Sequence, residues 1–249
     1  MSAEMRSQAV ETSPKRYARI GGVLYLIIII IGLWGEAFVR GRLVVSGDAA
    51  ATAANIRSME SLWRLHIGAE LFLLMCAILL LAILFALLRP VSRDLALLAV
   101  FFNLVSIGVE AVSALNLVAT LFPLGSAAYL KAFTPEQLYA MATLSIKSHG
   151  YGFGVALIFF GCFCIIAGYL IFKSGYFPKI IGVLMQIAGL CYLIDSFALI
   201  VAPNFANLIF PGILLPSFVG ETSLCLWLIV KGVNVQGFQE RVGANRERP

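Results

Sequence analysis

The sequence predicts an all-α polytopic membrane protein with six transmembrane helices, and three observations predict it. Of 249 residues, 61% are hydrophobic and 12% charged, against roughly 45–50% and about 25% in soluble domains. Six runs approach the about 20 mostly apolar residues that a spanning helix needs. Lys and Arg gather at the ends of those runs, the usual flanks of membrane helices. With a mean hydropathy of +0.95, the chain carries too little charge to coat a soluble globule. A soluble enzyme, a disordered chain, a coiled coil and a disulfide scaffold are excluded. The net charge of +5 belongs to the helix flanks, so no nucleic acid partner is expected; the lipid bilayer is.

The six runs are 17–39, 65–88, 95–122, 149–172, 180–202 and 209–230. The first is too long for the apolar region of a signal peptide and no small-x-small cleavage site follows, so it reads as a retained helix. If the N-terminus is inside, twelve Lys and Arg fall in cytoplasmic segments and six outside, which sets both termini in the cytoplasm of a bacterial plasma membrane. Residues 1–16 and 233–249 then read as polar cytoplasmic tails, disordered most clearly from Val242, and 17–232 as the membrane domain. Arg89–Asp94 and Lys173–Lys179 read as tight inner hairpin turns. Of the longer outer loops, one has Asp48 as a cap for a helix through the Ala-rich stretch to Leu62. The other has Thr134-Pro-Glu-Gln137, a capping box with Pro at the first helical position, whose helix runs into span four. The third, Pro203 to Pro211, has no charge and suits the lipid interface.

Five acids lie inside the spans: Glu36, Glu70, Glu110, Asp195 and Glu221. The expectation is that none has a Lys or Arg within four residues on its own helix. An ionisable side chain near the bilayer centre costs at least ~2.5–3.5 kcal/mol and so asks for a function. At 1.5 Å per helical residue, Glu36, Glu70, Glu110 and Asp195 stand about 24–28 Å from the inner edge and Glu221 about 15 Å. Four acids thus share an outer layer, with His66 and His149 just above. The expectation is an outward-facing acidic cavity that takes a cation, a proton or a small amphiphile. Asn103, Ser106, Glu110 and Ser113 share one helix side, and Ser217, Glu221 and Cys225 another. The simpler alternative is snorkelling of each acid to the headgroups.

His66 and Glu70 stand four residues apart, and His149 could complete a three-ligand zinc site. Such a site would serve an intramembrane hydrolase, with Glu110 or Asp195 as base. Haem ligated by both histidines is a further alternative, as is a scaffold with no ligand site; the oligomeric state is not legible. No phosphate-binding loop or nucleophile elbow occurs. The five cysteines lie within apolar runs and read as packed thiols. Glycines recur every seven residues at Gly154, Gly161 and Gly168, and at Gly182 and Gly189, the pattern of close helix contact. Trp34, Trp63 and Trp227 read as interfacial anchors.

Arg19-Ile-Gly-Gly-Val-Leu and Lys179-Ile-Ile-Gly-Val-Leu are alike, and each is followed by an acid and then Phe two residues on. These echoes suggest three helix hairpins of one kind around an axis along the membrane normal. With the run from Ser148-His-Gly-Tyr-Gly-Phe-Gly through Gly168-Tyr-Leu-Ile-Phe-Lys-Ser-Gly-Tyr-Phe-Pro-Lys to Asp195-Ser-Phe197, the chain resembles a family of small bacterial integral membrane proteins, domain of unknown function 4386. The resemblance implies a six-span helical protein and brings no activity with it. His149, Lys173, Ser174, Pro178, Gly182, Tyr192 and Asp195 are the positions it shares with that pattern.

Overall fold

A computed structural model describes residues 13–246. The structure is 86% helical with no strand among the described residues, so the backbone polar groups of a lipid-embedded chain are satisfied within helices. Helix α1 (Pro14–Leu33) continues through a π-helical turn, Trp34–Arg40, and a last turn, Gly41–Leu43. It is followed by α2 (Ala49–Ser58), α3 (Glu60–Leu88), α4 (Arg93–Ala119), α5 (Pro135–Ser174), α6 (Lys179–Val201), α7 (Pro203–Ile209), α8 (Leu215–Val230) and α9 (Val235–Arg246). Six of these are long and apolar enough to cross a membrane: α1, α3, α4, α5, α6 and α8. Their outer faces are apolar too. Phe72, Met75 and Leu79 on α3, and Phe101 and Leu115 on α4, are all at least half exposed, a surface that suits lipid and not water.

The six long helices form a closed ring in chain order. Each packs against the one before and the one after, and α8 returns to α1. The three hairpins therefore follow one another around a single axis. The tightest seam is α5 on α6. A Cβ built on Gly168 would stand 2.6 Å from the Gly182 carbonyl oxygen, and one on Gly182 would stand 2.6 Å from the Gly168 oxygen. Gly161 and Gly189 meet in the same way one turn pair further along. The heptad glycines thus do what small residues do in lipid, where close packing replaces the hydrophobic effect as the force between helices.

Local signals account for the helix ends. Thr134 and Gln137 form the expected capping box, with Thr134 N–H donating to Gln137 Oε1 at 2.9 Å, and the helix runs unbroken to Ser174. Gly175 ends it in the left-handed region at φ 81°. Asp48 accepts from Ala51 N–H as the cap of α2. That helix stops at Ser58 and not at Leu62, because the backbone turns at Met59 (φ −128°, ψ 39°) before α3 begins.

Two further expectations are corrected. Trp63 is not an interfacial anchor: it is fully buried and donates its indole N–H to the Leu117 carbonyl at 3.0 Å. Together with Ile56, Leu117 and Ile146, it forms a small core where α2 covers the extended start of α5. The C-terminal segment is not a disordered tail within the described residues. Val233 and Phe238 are buried, α9 reaches Arg246, and the Phe238 ring meets Tyr176 edge-on at 5.3 Å. Tyr176 in turn donates to the Leu87 carbonyl at 2.6 Å, tying the end of the bundle that carries both termini. At the other end of the chain Pro14 already starts α1, while residues 1–12 and 247–249 of the expected tails lie outside the described residues.

Candidate functional site

A cavity of about 590 Å³ lies inside the ring. Its walls are mostly aliphatic and aromatic, and four glutamates reach it: Glu36, Glu70, Glu110 and Glu221. Asn103, His66 and His149 line it as well, and no Lys or Arg among the described residues does. Asp195 is not among its walls. It is half-buried on α6 and makes no hydrogen bond or ion pair among the described residues. The five acids therefore do not all converge.

The glutamates differ in how they are held. Glu36 stands at the rim with its side chain 59% exposed, and Arg40 binds it at 2.5 Å. The expectation that no base stands beside it fails because α1 continues past residue 39, bringing Arg40 one turn onward. Glu221 lies deep in the ring. Tyr25 of α1 donates to its Oε2 at 2.9 Å, and Tyr192 of α6 donates to its Oε1. Glu110, half-buried on α4, has no hydrogen bond or ion pair among the described residues.

Glu70 sits between the two histidines. Its Oε2 is 3.8 Å from His66 Nε2 and its Oε1 is 3.8 Å from His149 Nε2, longer than a hydrogen bond. The Ser113 hydroxyl donates to the His149 carbonyl at 2.9 Å, and His149 Nδ1 lies 3.3 Å from the Ser113 carbonyl. Gly152 makes room for this crossing: a Cβ there would stand 2.3 Å from Ser113 Oγ. His66 fits against Gly35 in the π-helical turn, where a Cβ would stand 2.7 Å from its Cε1. The indoles of Trp34 and Trp63 meet its ring edge-on at 6.3 and 6.1 Å. Among the described residues no three His, Cys, Asp or Glu side chains already stand at metal-binding distances from one point.

The remaining polar positions mostly join helices. Ser106 donates to the Ala156 carbonyl at 2.8 Å and Ser217 to the Ala188 carbonyl at 3.1 Å. Sequence reasoning missed Tyr25, which read as an ordinary apolar position, the role of Tyr192, which stood out only as a position shared with the family pattern, and Gly35, whose only signal was a glycine next to an intramembrane acid. The π-helical turn left no signal in the residue pattern at all.

Ring and cavity together define a class: a six-helix membrane protein with an acidic, apolar-walled pocket at its centre. The chain belongs to the family described as domain of unknown function (DUF4386), whose model matches residues 20–232. It is also similar to an uncharacterised protein of Archaeoglobus fulgidus, 32% identical over 153 residues, which cover 60% of this chain and 72% of that one. No solved structure matches it.

Proposed function

We propose that this protein sits in the cell membrane with both termini cytoplasmic and binds a small amphiphilic cation inside its helix ring. The observation that carries the reading is the charge asymmetry of the cavity, whose walls hold four glutamates and, among the described residues, no Lys or Arg. Placing carboxyl groups among apolar side chains is costly unless a counter-charge arrives. Glu36 has Arg40 and Glu221 has two phenols, but Glu110 has neither. A ligand with one positive charge and an apolar body supplies what is missing. Its charge would meet Glu110 and Glu70, and its body would meet Phe153, Phe160 and Phe218, whose ring faces also attract cations. Pockets for small organic ligands commonly combine such apolar walls with a few polar groups.

The test uses two ions of one shape and opposite charge. Tetraphenylphosphonium and tetraphenylborate are titrated into the purified chain in detergent. The cation is expected to bind and the anion not to, and Glu110→Gln is expected to weaken the cation at least about tenfold, or ~1.4 kcal/mol. Equal binding of both ions, or an unchanged affinity in Glu110→Gln and Glu70→Gln together, overturns the reading. The orientation is tested separately: in intact cells a membrane-impermeant reagent is expected to label a cysteine placed at Lys131 but not one placed at Arg93.

A further inference from the structure

His66, Glu70 and His149 form a second feature of the cavity that the binding of an organic cation does not require. Both histidines are more than nine-tenths buried. His66 has no hydrogen-bond partner on either ring nitrogen among the described residues. A buried imidazole left so is a cost that a merely structural residue has no reason to carry. Its position is nevertheless tightly prepared, by Gly35 on one side and by Trp34 and Trp63 on others. His149 is prepared differently. The Ser113 hydroxyl donates to the His149 carbonyl at 2.9 Å, and both Ser113 oxygens lie 3.3 Å from His149 Nδ1, an arrangement that suits the tautomer with its proton on Nδ1. That tautomer leaves a lone pair on Nε2, which faces Glu70. An imidazole whose far nitrogen donates to a backbone carbonyl is oriented as metal-bound histidines are.

We propose that His66, Glu70 and His149 bind one divalent transition-metal ion of the zinc class. The ligands would be the two Nε2 atoms and the Glu70 carboxylate, with a fourth position open to the cavity. Ligands held at about 2.0–2.2 Å around a tetrahedral ion stand roughly 3.4 Å apart. The two 3.8 Å separations run to different oxygens of the Glu70 carboxylate, so binding one ion draws both rings and the carboxylate together by side-chain rotation. Two imidazoles and one carboxylate favour zinc, nickel or copper over calcium or magnesium, which prefer oxygen. Arg40, the cation whose charge reaches both rings, is paired with Glu36.

The full chain, stripped with chelator, is dialysed against zinc and gel-filtered in detergent, and its metal is measured by elemental analysis. One zinc per chain is expected, and His66→Ala and His149→Ala should each lower the affinity at least tenfold. Cobalt loading of the unmodified chain gives a readout that does not depend on variants folding: the visible absorption of a four-coordinate ion is expected. Less than about a tenth of a zinc per chain overturns the proposal, since one site holds one ion. So does a colourless cobalt sample, or full zinc retention in the double histidine variant. Tetraphenylphosphonium is titrated into the zinc-free sample, so this proposal and the cation reading fail separately.

Discussion

Tyr25 and Glu221 are joined by a hydrogen bond of 2.9 Å although 196 residues of chain separate them. The bond links α1 to α8, the first and last helices of the ring, and Tyr192 brings α6 to the same carboxylate. One half-buried acid therefore holds three helices. Hydrogen bonds to a charged group contribute about 1.5–3 kcal/mol, and an orphaned buried partner costs as much again. Tyr25→Phe is expected to lower the melting temperature in detergent. Tyr25→Phe with Tyr192→Phe, which strands the carboxylate, is expected to lower it by more than the two single effects added. Strict additivity would show that Glu221 is solvated and does not clip the ring.

The glycine seam gives a second prediction with an internal control. A side chain on Gly168 or Gly182 would meet backbone oxygen at 2.6 Å, and backbone cannot swing aside as a side chain can. Gly168→Ala must therefore separate α5 from α6. A Cβ on Gly108 meets nothing within 4 Å, and helix propensity favours Ala over Gly there by about 1 kcal/mol. Gly168→Ala is expected to abolish or strongly reduce recovery of folded protein, while Gly108→Ala is neutral or stabilising. Equal behaviour of the two variants in thermal melts would refute the seam.

Hydropathy and the Lys and Arg flanks made the six spans legible, because lipid solvation demands a long apolar run whatever the helix packs against. The capping box at Thr134 was legible because its chemistry is local. The acids were visible as anomalies, yet only the structure shows which of them share a space. Glu70, Glu110 and Glu221 do, and Asp195 does not, although its depth and the echo of the Arg19 motif grouped it with them. Depth along a helix is readable from residue counts, but azimuth around the axis depends on packing. Pairing is no more readable when it crosses an expected boundary, as Glu36 with Arg40 does, or spans the whole chain, as Tyr25 with Glu221 does.

The C-terminal helix leads to a third prediction. Its composition is polar and its few apolar residues form no long run, yet Phe238 is buried to 1% exposure against Tyr176. Replacing a buried Phe by Ala typically costs about 3–5 kcal/mol. Phe238→Ala is expected to loosen the tie between Tyr176 and the Leu87 carbonyl and to speed proteolysis within residues 233–246. Protease resistance identical to that of the unmodified chain would mean that α9 does not dock in solution.

Glu36 and Asp195 supply the last prediction, because both are acids within spans and neither is buried among cavity groups. Glu36 is mostly exposed and matched by Arg40, and exposed ion pairs contribute about 0–1 kcal/mol. Asp195 lies outside the cavity walls and has no partner among the described residues. Glu36→Gln and Asp195→Asn are therefore expected to leave the melting temperature and the affinity for tetraphenylphosphonium nearly unchanged, whereas Glu110→Gln weakens binding at least tenfold. The comparison separates position from chemistry, since all three substitutions replace a carboxylate by its amide. If Asp195→Asn weakened the cation as much as Glu110→Gln did, membership of the outer acid layer would matter more than access to the cavity. The ligand would then have to lie between α6 and its neighbours and not inside the ring.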